Sequence, residues 1–164
     1  MQKFVTLSMA VAALLLAGCG TSPSNPPNPP LSNAPMASCK VTSQAEIAGL
    51  FERWNRSLIS GDPHQVLSNY AEDSVLLPTL SNVPRLTPAA KEDYFEHFLH
   101  DRPSGKIDSR TIQLGCNSAV DIGLYTFSFS KTGAVVHARY TYTYKWDGQQ
   151  WLISSHHSSG MPEK

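Results

Sequence analysis

The sequence has little net charge and few cysteines. Its 164 residues include 13 Lys and Arg against 13 Asp and Glu, so the formal net charge at pH 7 is zero, and only three cysteines are present. Because no basic stripe occurs, nucleic acid is not an expected partner. A glycine-rich dinucleotide fingerprint is missing, so the sequence does not support an oxidoreductase and we expect no cofactor. His97 and His100 have a spacing compatible with a metal, but no cysteine or acid cluster completes a site, so we expect no metal.

The chain also lacks an apolar run long enough to cross a membrane. The run from Phe4 to Ala17 spans about fourteen residues, whereas a membrane-spanning helix needs roughly twenty. Lys3 precedes this run and small residues close it, which is the layout of a secretory signal. We therefore expect residues 1–18 to be a signal peptide that takes no part in the fold.

The signal ends in Leu16-Ala17-Gly18-Cys19, which resembles the bacterial lipobox. In a lipobox, the cysteine thiol takes a diacylglyceryl group before cleavage leaves the cysteine as the first residue. Each buried methylene contributes roughly 0.8 kcal/mol, so several acyl chains anchor the protein permanently. The lipidated cysteine predicts a membrane-anchored protein of the cell envelope. Because Gly20 and not Asp follows Cys19, we expect the periplasmic face of the outer membrane in a bacterium with two membranes. A plain signal peptide with an incidental cysteine is the alternative.

A segment without core-forming residues follows the lipidation site. Residues 19–40 are rich in Pro, Ser and Asn, and six prolines lie between Gly20 and Ser38. Such a composition cannot bury a core and predicts an extended tether. Residues 41–164 then remain, which is enough for one domain with a real core.

Two cysteines are left once Cys19 is assigned to the lipid. An even pair in an oxidising compartment predicts a disulfide between Cys39 and Cys116. It would close a loop of about 78 residues and stabilise the fold by roughly 4 kcal/mol in the loop-entropy treatment. The alternative is two buried free thiols.

Capping residues and periodicity predict helices first and strands afterwards. Ser43-Gln44-Ala45-Glu46 is a capping box, and apolar residues then recur at helical spacing until Gly61. Asp62-Pro63 and Thr87-Pro88 each combine an N-cap with a proline at the first helical position, which predicts two further helices. Strands are expected at 74–78, 109–116, 119–130, 134–146 and 151–158. The fold class is therefore α+β, with an antiparallel meander packed on helices and a cone-shaped pocket where the curved sheet encloses a helix.

Two stretches of the sequence carry a family resemblance. These are "SLISGDPHQVLSNYAEDSVLLP" after the first helix and "ARYTYTYKWDGQQWLISSHHSSGMP" near the end. Together with the order of elements, they resemble the association domain of calcium/calmodulin-dependent protein kinase II, within the nuclear transport factor 2-like superfamily. The resemblance covers roughly Thr42 to Glu163 and implies a cone made of a curved antiparallel sheet wrapped on N-terminal helices. The glycine-rich loop and the catalytic loop of a kinase are missing, so we expect no kinase activity.

The resemblance also implies a deep pocket with an arginine pointing into it. The closest match is Arg139, displaced by two residues on the same strand face, which it shares with Thr141. If Asp147-Gly148 is a two-residue hairpin turn, Arg139 lies opposite His156, and a bulged turn would bring Ser155 or His157 there instead. A guanidinium beside an imidazole suits a small polar or anionic ligand. The alternative is a structural arginine paired with an acid.

Aromatic residues occupy the other face of the same strand, and the family implies homodimers or larger rings built through the open face of the sheet. We expect the aromatic face to lie at the subunit interface, with core packing or a stacking platform as the other interpretations, and the arginine face is therefore assigned to the pocket. This face carries Tyr140, Tyr142, Tyr144 and Trp146. Trp54 and Tyr94 are expected to be pocket walls.

The sequence is consistent with three functions. The first is a non-catalytic, oligomeric lipoprotein that binds a small ligand. The second is a cofactor-free enzyme of the dehydratase, isomerase or cyclase type, using His156 or His157 as a general base. The superfamily's ketosteroid isomerases use a Tyr and an Asp at positions that align with Trp54 and Pro78, so that pair of catalytic residues is missing here. The third is a pure assembly module.

Overall fold

The computed structural model describes residues 38–163. Its three helices are α1 Gln44–Ser60, α2 Pro63–Leu67 and α3 Pro88–Leu99. Its five strands are β1 Tyr70–Leu77, β2 Pro103–Gly115, β3 Ser118–Phe129, β4 Val135–Trp146 and β5 Trp151–Gly160. No helix within residues 38–163 has the length and apolar character needed to cross a bilayer. The predicted signal peptide, the lipidation at Cys19 and most of the 19–40 tether lie outside the described residues.

The helices begin and end where their capping residues predict. The Ser43 side chain accepts a hydrogen bond from the backbone N–H of Glu46, and α1 ends at Gly61, whose φ of 72° is a conformation that favours glycine. Asp62 and Thr87 cap α2 and α3 with their side chains, and a proline follows each cap. All three predicted helices are therefore confirmed.

The strands form one mixed sheet in the order β1-β5-β4-β3-β2. The last four strands are the predicted antiparallel meander. β1 runs parallel to β5, so the prediction of a wholly antiparallel sheet is wrong for this strand. No hairpin joins β1 to β5, so no tight turn enforces an antiparallel pairing between them.

The second strand is longer than its sequence pattern indicates. β2 begins at Pro103, well before the predicted start at Ser109, and its pairing with β3 shifts at a bulge between Ile107 and Ser109. A bulge interrupts the alternation of inward and outward side chains, so the alternation pattern did not predict the first part of the strand.

The core lies between α1 and the inner face of the sheet, and the tyrosines of β4 belong to it. Tyr140, Tyr142 and Tyr144 are exposed by only 2%, 0% and 1%. Phe51 and Trp54 of α1 pack edge-on against Tyr142, with ring centroids 6.2 and 5.7 Å apart. The expectation that this aromatic face lies at a subunit interface is therefore wrong. Large rings gain most free energy where helix and sheet bury them together, so they occupy the helix-covered side.

The predicted disulfide between Cys39 and Cys116 is present. It joins the segment before α1 to the turn between β2 and β3. The side chain of Asn117 in the same turn accepts a hydrogen bond from the backbone N–H of Lys40 over 2.7 Å. The start of the domain is thus fixed to one end of the sheet.

Candidate functional site

A cavity of about 520 Å³ opens between the helices and the inner face of the sheet. This volume lies within the range of small-molecule sites. Aromatic side chains from α1, α3 and β3 line much of its wall: Trp54, Tyr94, Phe95, Phe98, Tyr125, Phe127 and Phe129. Phe129 ends β3 whereas the disulfide precedes its start, so the cavity and the disulfide lie at opposite ends of this strand.

His156 is a buried histidine at the wall of this cavity, and it is 4% exposed. The indole N–H of Trp54 donates to the hydroxyl of Tyr70 over 3.1 Å, and this hydroxyl lies 2.9 Å from Nδ1 of His156. The imidazole also stacks on the ring of Tyr142, with centroids 4.1 Å apart. The position of the His156 ring is therefore fixed on two sides, by the Tyr70 hydrogen bond and by the stack.

Burial decides the charge of His156. Desolvation, with a smaller contribution from the charge of neighbouring His157, lowers the pKa of His156 from 6.5 to about 3. Burial likewise raises the pKa of Tyr70 well above its ordinary value. Both groups are therefore neutral at neutral pH. A general base works best with a pKa near the working pH, so the site disfavours His156 in that role.

Three hydroxyl groups extend the polar wall. Tyr125 donates to Oγ of Ser158, and Ser158 also shares a hydrogen bond with Thr79. Ser158 follows His156 on the inner face of β5, and all three hydroxyl residues line the cavity. They give the otherwise aromatic chamber a second place where a polar ligand atom can be held.

The cavity contains an arginine, Arg85, that the sequence analysis did not identify. Arg85 precedes α3 and forms an isolated antiparallel bridge with Leu76, with N–H to carbonyl distances of 2.9 and 3.1 Å. Leu76 also pairs with His156, so the three residues form one row across β5, β1 and the bridged segment that contains Arg85. The guanidinium lies 5.8 Å from the centroid of the Tyr94 ring and forms no ion pair within the described chain. Its Nε is buried without a hydrogen-bond partner there.

Arg139 does not point into the cavity, so that prediction is wrong. It pairs with Ser159 instead of either histidine, and its Nε donates to the Ser159 hydroxyl over 3.2 Å on the exposed outer face. Thr141 lies on the same outer face, opposite His157. The hairpin turn between β4 and β5 is longer than two residues, because Trp146 pairs with Trp151, and this moves every cross-strand partner along.

A bulge in β5 selects His156 over His157. Ile153 points inward opposite Tyr144, and the register then shifts at Ser154, whose hydroxyl donates to the carbonyl of Thr143 over 3.1 Å. After the shift, His156 points inward and His157 is exposed. Of the predicted pocket residues, Trp54, Tyr94 and His156 line the cavity, whereas Arg139, Thr141 and His157 do not.

A second polar cluster lies on the inner face nearer the disulfide. Asp121 is completely buried, and its carboxylate lies 3.0 Å from the guanidinium of Arg110. The Tyr140 hydroxyl donates to the same carboxylate over 2.8 Å. Desolvation and this carboxylate raise the pKa of Tyr140 above its ordinary value. None of the three residues lines the cavity, so the cluster is an internal ion pair that holds β2, β3 and β4 together.

Comparison with known proteins places this chain in a family. A sequence model of the calcium/calmodulin dependent protein kinase II association domain matches residues 43–162. A crystal structure assigned to the same association domain, from Xanthomonas campestris, has 46% sequence identity and a TM-score of 0.71, and the match covers 77% of this chain and 97% of that chain. No curated protein matches the chain significantly.

More distant structures share the fold. An NTF2-like protein of unknown function from Pseudomonas putida KT2440 has 19% identity and a TM-score of 0.64 over 74% of this chain and 88% of that chain. A Novosphingobium aromaticivorans protein named for an aromatic ring hydroxylase has 16% identity and a TM-score of 0.63 over 76% of this chain and 93% of that chain. Such identities show the fold alone, which is the expected nuclear transport factor 2-like α+β cone.

Proposed function

Because the chain belongs to the calcium/calmodulin-dependent protein kinase II association domain family, we propose that it is a membrane-anchored extracytoplasmic lipoprotein that binds a small ligand and has no kinase activity. The observation that carries ligand binding is the aromatic cavity of about 520 Å³ with two buried side-chain nitrogens, on His156 and Arg85, that have no partner among the described residues. Leaving a buried polar group unsatisfied costs about 1–3 kcal/mol. A ligand that bonds to these nitrogens recovers that free energy.

The cavity favours a ligand with an apolar body and polar atoms at its ends. Phe95, Phe98 and Phe127 offer only ring surface, which suits a flat apolar group. Arg85 and His156 are each one strand away from Leu76, so their Cα atoms are about 10 Å apart. A small polar or anionic molecule of similar length can therefore contact both residues.

The anchor is proposed from the lipobox-like end of the signal, and the disulfide supports an oxidising compartment. The tether would leave the domain beside Cys39, at the end of β3 opposite the cavity. A strand of this length spans about 40 Å. The first residues of the domain are therefore well separated from the cavity.

Association into homodimers or larger rings remains part of the proposal, but it now rests on the other face of the sheet. The outer face carries Leu77, Ile122 and Leu124, each 37% exposed. Leu77, His157, Thr141 and Ile122 form one row across four strands. This surface of aliphatic and hydroxyl side chains could pair with a second copy.

The test is to identify small molecules that the protein carries. The full chain would be purified in mild detergent from its native cell envelope, denatured in organic solvent, and its extract analysed by mass spectrometry. Ala138→Leu is the matched variant because Ala138 lines the cavity and is buried. Thr143→Leu on the outer face is the control. We expect one species released in near-equal amount to the wild-type and control proteins and depleted from Ala138→Leu. Identical extracts from all three, with no species enriched over background, would contradict ligand binding.

A further inference from the structure

The hydrogen-bond chain behind the cavity has a fixed direction. The indole N–H of Trp54 can only donate, so the Tyr70 oxygen is its acceptor over 3.1 Å. The Tyr70 hydroxyl has one proton of its own to donate. Within residues 38–163, its other polar neighbour is Nδ1 of His156 at 2.9 Å. The Tyr70 proton therefore points to Nδ1, which must be the unprotonated nitrogen of the ring.

The proton of the neutral imidazole is then on Nε2. We propose that His156 presents this Nε2–H as a permanent hydrogen-bond donor, and that the cavity selects aromatic ligands with a carbonyl oxygen that accepts it. This inference rests on the proposed ligand-binding function and adds the chemical class of the ligand. It assigns His156 to recognition of an acceptor, whereas a general base would have to take up a proton.

The surroundings of the His156 ring exclude the other tautomer, in which the proton is on Nδ1. A proton on Nδ1 would give the Tyr70 oxygen two N–H donors and leave its own proton without an acceptor in the described chain. Turning the ring over would put a carbon atom in the place of Nδ1 and lose the hydrogen bond from Tyr70, and the ring also packs on Tyr142 and Trp54, with centroids 4.1 and 5.4 Å away. Burial disfavours a second proton on the ring, so the donor does not become a charged group near neutral pH.

The second unpartnered nitrogen of the cavity is also a hydrogen-bond donor. Nε of Arg85 is buried without a partner among residues 38–163, and a guanidinium only donates. Both unsatisfied side-chain nitrogens of the cavity therefore call for oxygen acceptors. A ligand whose polar groups only donate would satisfy neither of them, whereas an aromatic ketone or aldehyde offers an acceptor without a competing donor and matches the ring-lined wall as well.

The test compares two probes of nearly the same shape. 2-Acetonaphthone carries a carbonyl oxygen, and 2-isopropenylnaphthalene has a methylene group in its place. Dissociation constants would be measured with the detergent-purified full chain by titration of its tryptophan fluorescence. We expect the ketone to bind about tenfold more tightly than the hydrocarbon, the effect of one hydrogen bond to an otherwise unsatisfied buried donor.

Two variants assign the preference to one nitrogen. His156→Phe keeps a ring but removes the donor, so it should bind both probes with equal affinity. His157→Phe is the matched control on the outer face and should keep the wild-type preference. Nitrogen-15 NMR of labelled histidine gives a readout that needs no variant, because it distinguishes the two tautomers. We expect His156 to be the Nε2–H tautomer throughout the range from about pH 5 to about pH 8.

The outcomes separate the inference from the function on which it rests. Equal affinity of the wild-type protein for ketone and hydrocarbon, or an Nδ1–H tautomer of His156, would overturn the proposal that Nε2–H of His156 donates to the ligand. The proposal of ligand binding would remain. If neither probe binds and the extracts from the native envelope also contain no ligand, the proposed function fails, and this inference fails with it.

Discussion

The buried neutral state of His156 makes stability depend on pH in a defined direction. The unfolded chain takes up a proton on this histidine as the pH falls below its ordinary pKa of 6.5, whereas the folded protein holds His156 neutral down to a pKa of about 3. Between these values the unfolded state binds more protons, so the free energy of unfolding decreases as the pH falls. The contribution is fully present above 6.5 and is lost progressively toward 3.

The magnitude follows from the two pKa values. Each pH unit in this window changes the free energy of unfolding by at most 1.36 kcal/mol. Lowering the pH from about 7.5 to about 5 therefore removes about 2 kcal/mol through His156 alone. The other five histidines are all exposed, namely His64, His97, His100, His137 and His157. Stopping near pH 5 avoids most carboxylate titration.

Urea unfolding followed by tryptophan fluorescence would measure this slope. His156→Gln keeps a buried polar side chain but cannot be protonated, and His157→Gln is the exposed neighbouring control. We expect the wild-type protein and His157→Gln to lose about 2 kcal/mol more than His156→Gln over this pH range. Parallel pH profiles for all three proteins would refute the conclusion that His156 is buried in its neutral form.

Four further results are expected. Cys19→Ala should abolish labelling by a fatty-acid probe and leave an uncleaved precursor; equal labelling would contradict lipidation. Replacing Cys39 and Cys116 by Ser should lower the free energy of unfolding by up to about 4 kcal/mol in urea titrations, and an unchanged midpoint would show that the disulfide adds no stability. Asp121→Asn should cost about 3 kcal/mol because it leaves the Arg110 guanidinium without its counter-charge; a loss below 1 kcal/mol would refute this. Light scattering should give a dimer or larger for the wild type and a smaller species for Ile122→Glu, whereas a wild-type monomer at micromolar concentration would defeat the association proposal.

The helices were predictable because their signals are local. A capping side chain and a C-terminal glycine act within a few residues, so Ser43 and Gly61 mark α1 independently of the rest of the fold. The paired cysteines were equally informative, since Cys39 and Cys116 need only an oxidising environment and proximity. The order of strands in the meander followed from turn residues for the same reason.

The faces of the last two strands were not predictable from local pattern. Alternation in β4 shows that Tyr140 and Arg139 point in opposite directions, but not which of them faces the helices. The length of the turn and the bulge at Ser154 then determine which residue of β5 lies opposite. Both depend on how strands pack in three dimensions.

Arg85 was missed because it lies in a segment without periodicity. It follows a proline between β1 and α3, and only its bridge to Leu76 places it beside the cavity. A single residue that pairs outside the named strands leaves no repeating signal in the sequence. The family resemblance implied an arginine on the penultimate strand, so Arg139 and not Arg85 was the candidate.

The inner face of the sheet is divided into two regions along β3, and this division explains where a ligand can bind. Toward the disulfide, the Asp121 carboxylate forms an ion pair with Arg110 over 3.0 Å and accepts a hydrogen bond from Tyr140, so the charges of that cluster are matched within the protein. Toward Phe129, the wall is aromatic and the buried nitrogens of His156 and Arg85 have no protein partner within residues 38–163. The fully buried charge of Asp121 is paired within the protein, whereas hydrogen-bond donors at the wall of a cavity can be satisfied by a molecule that enters.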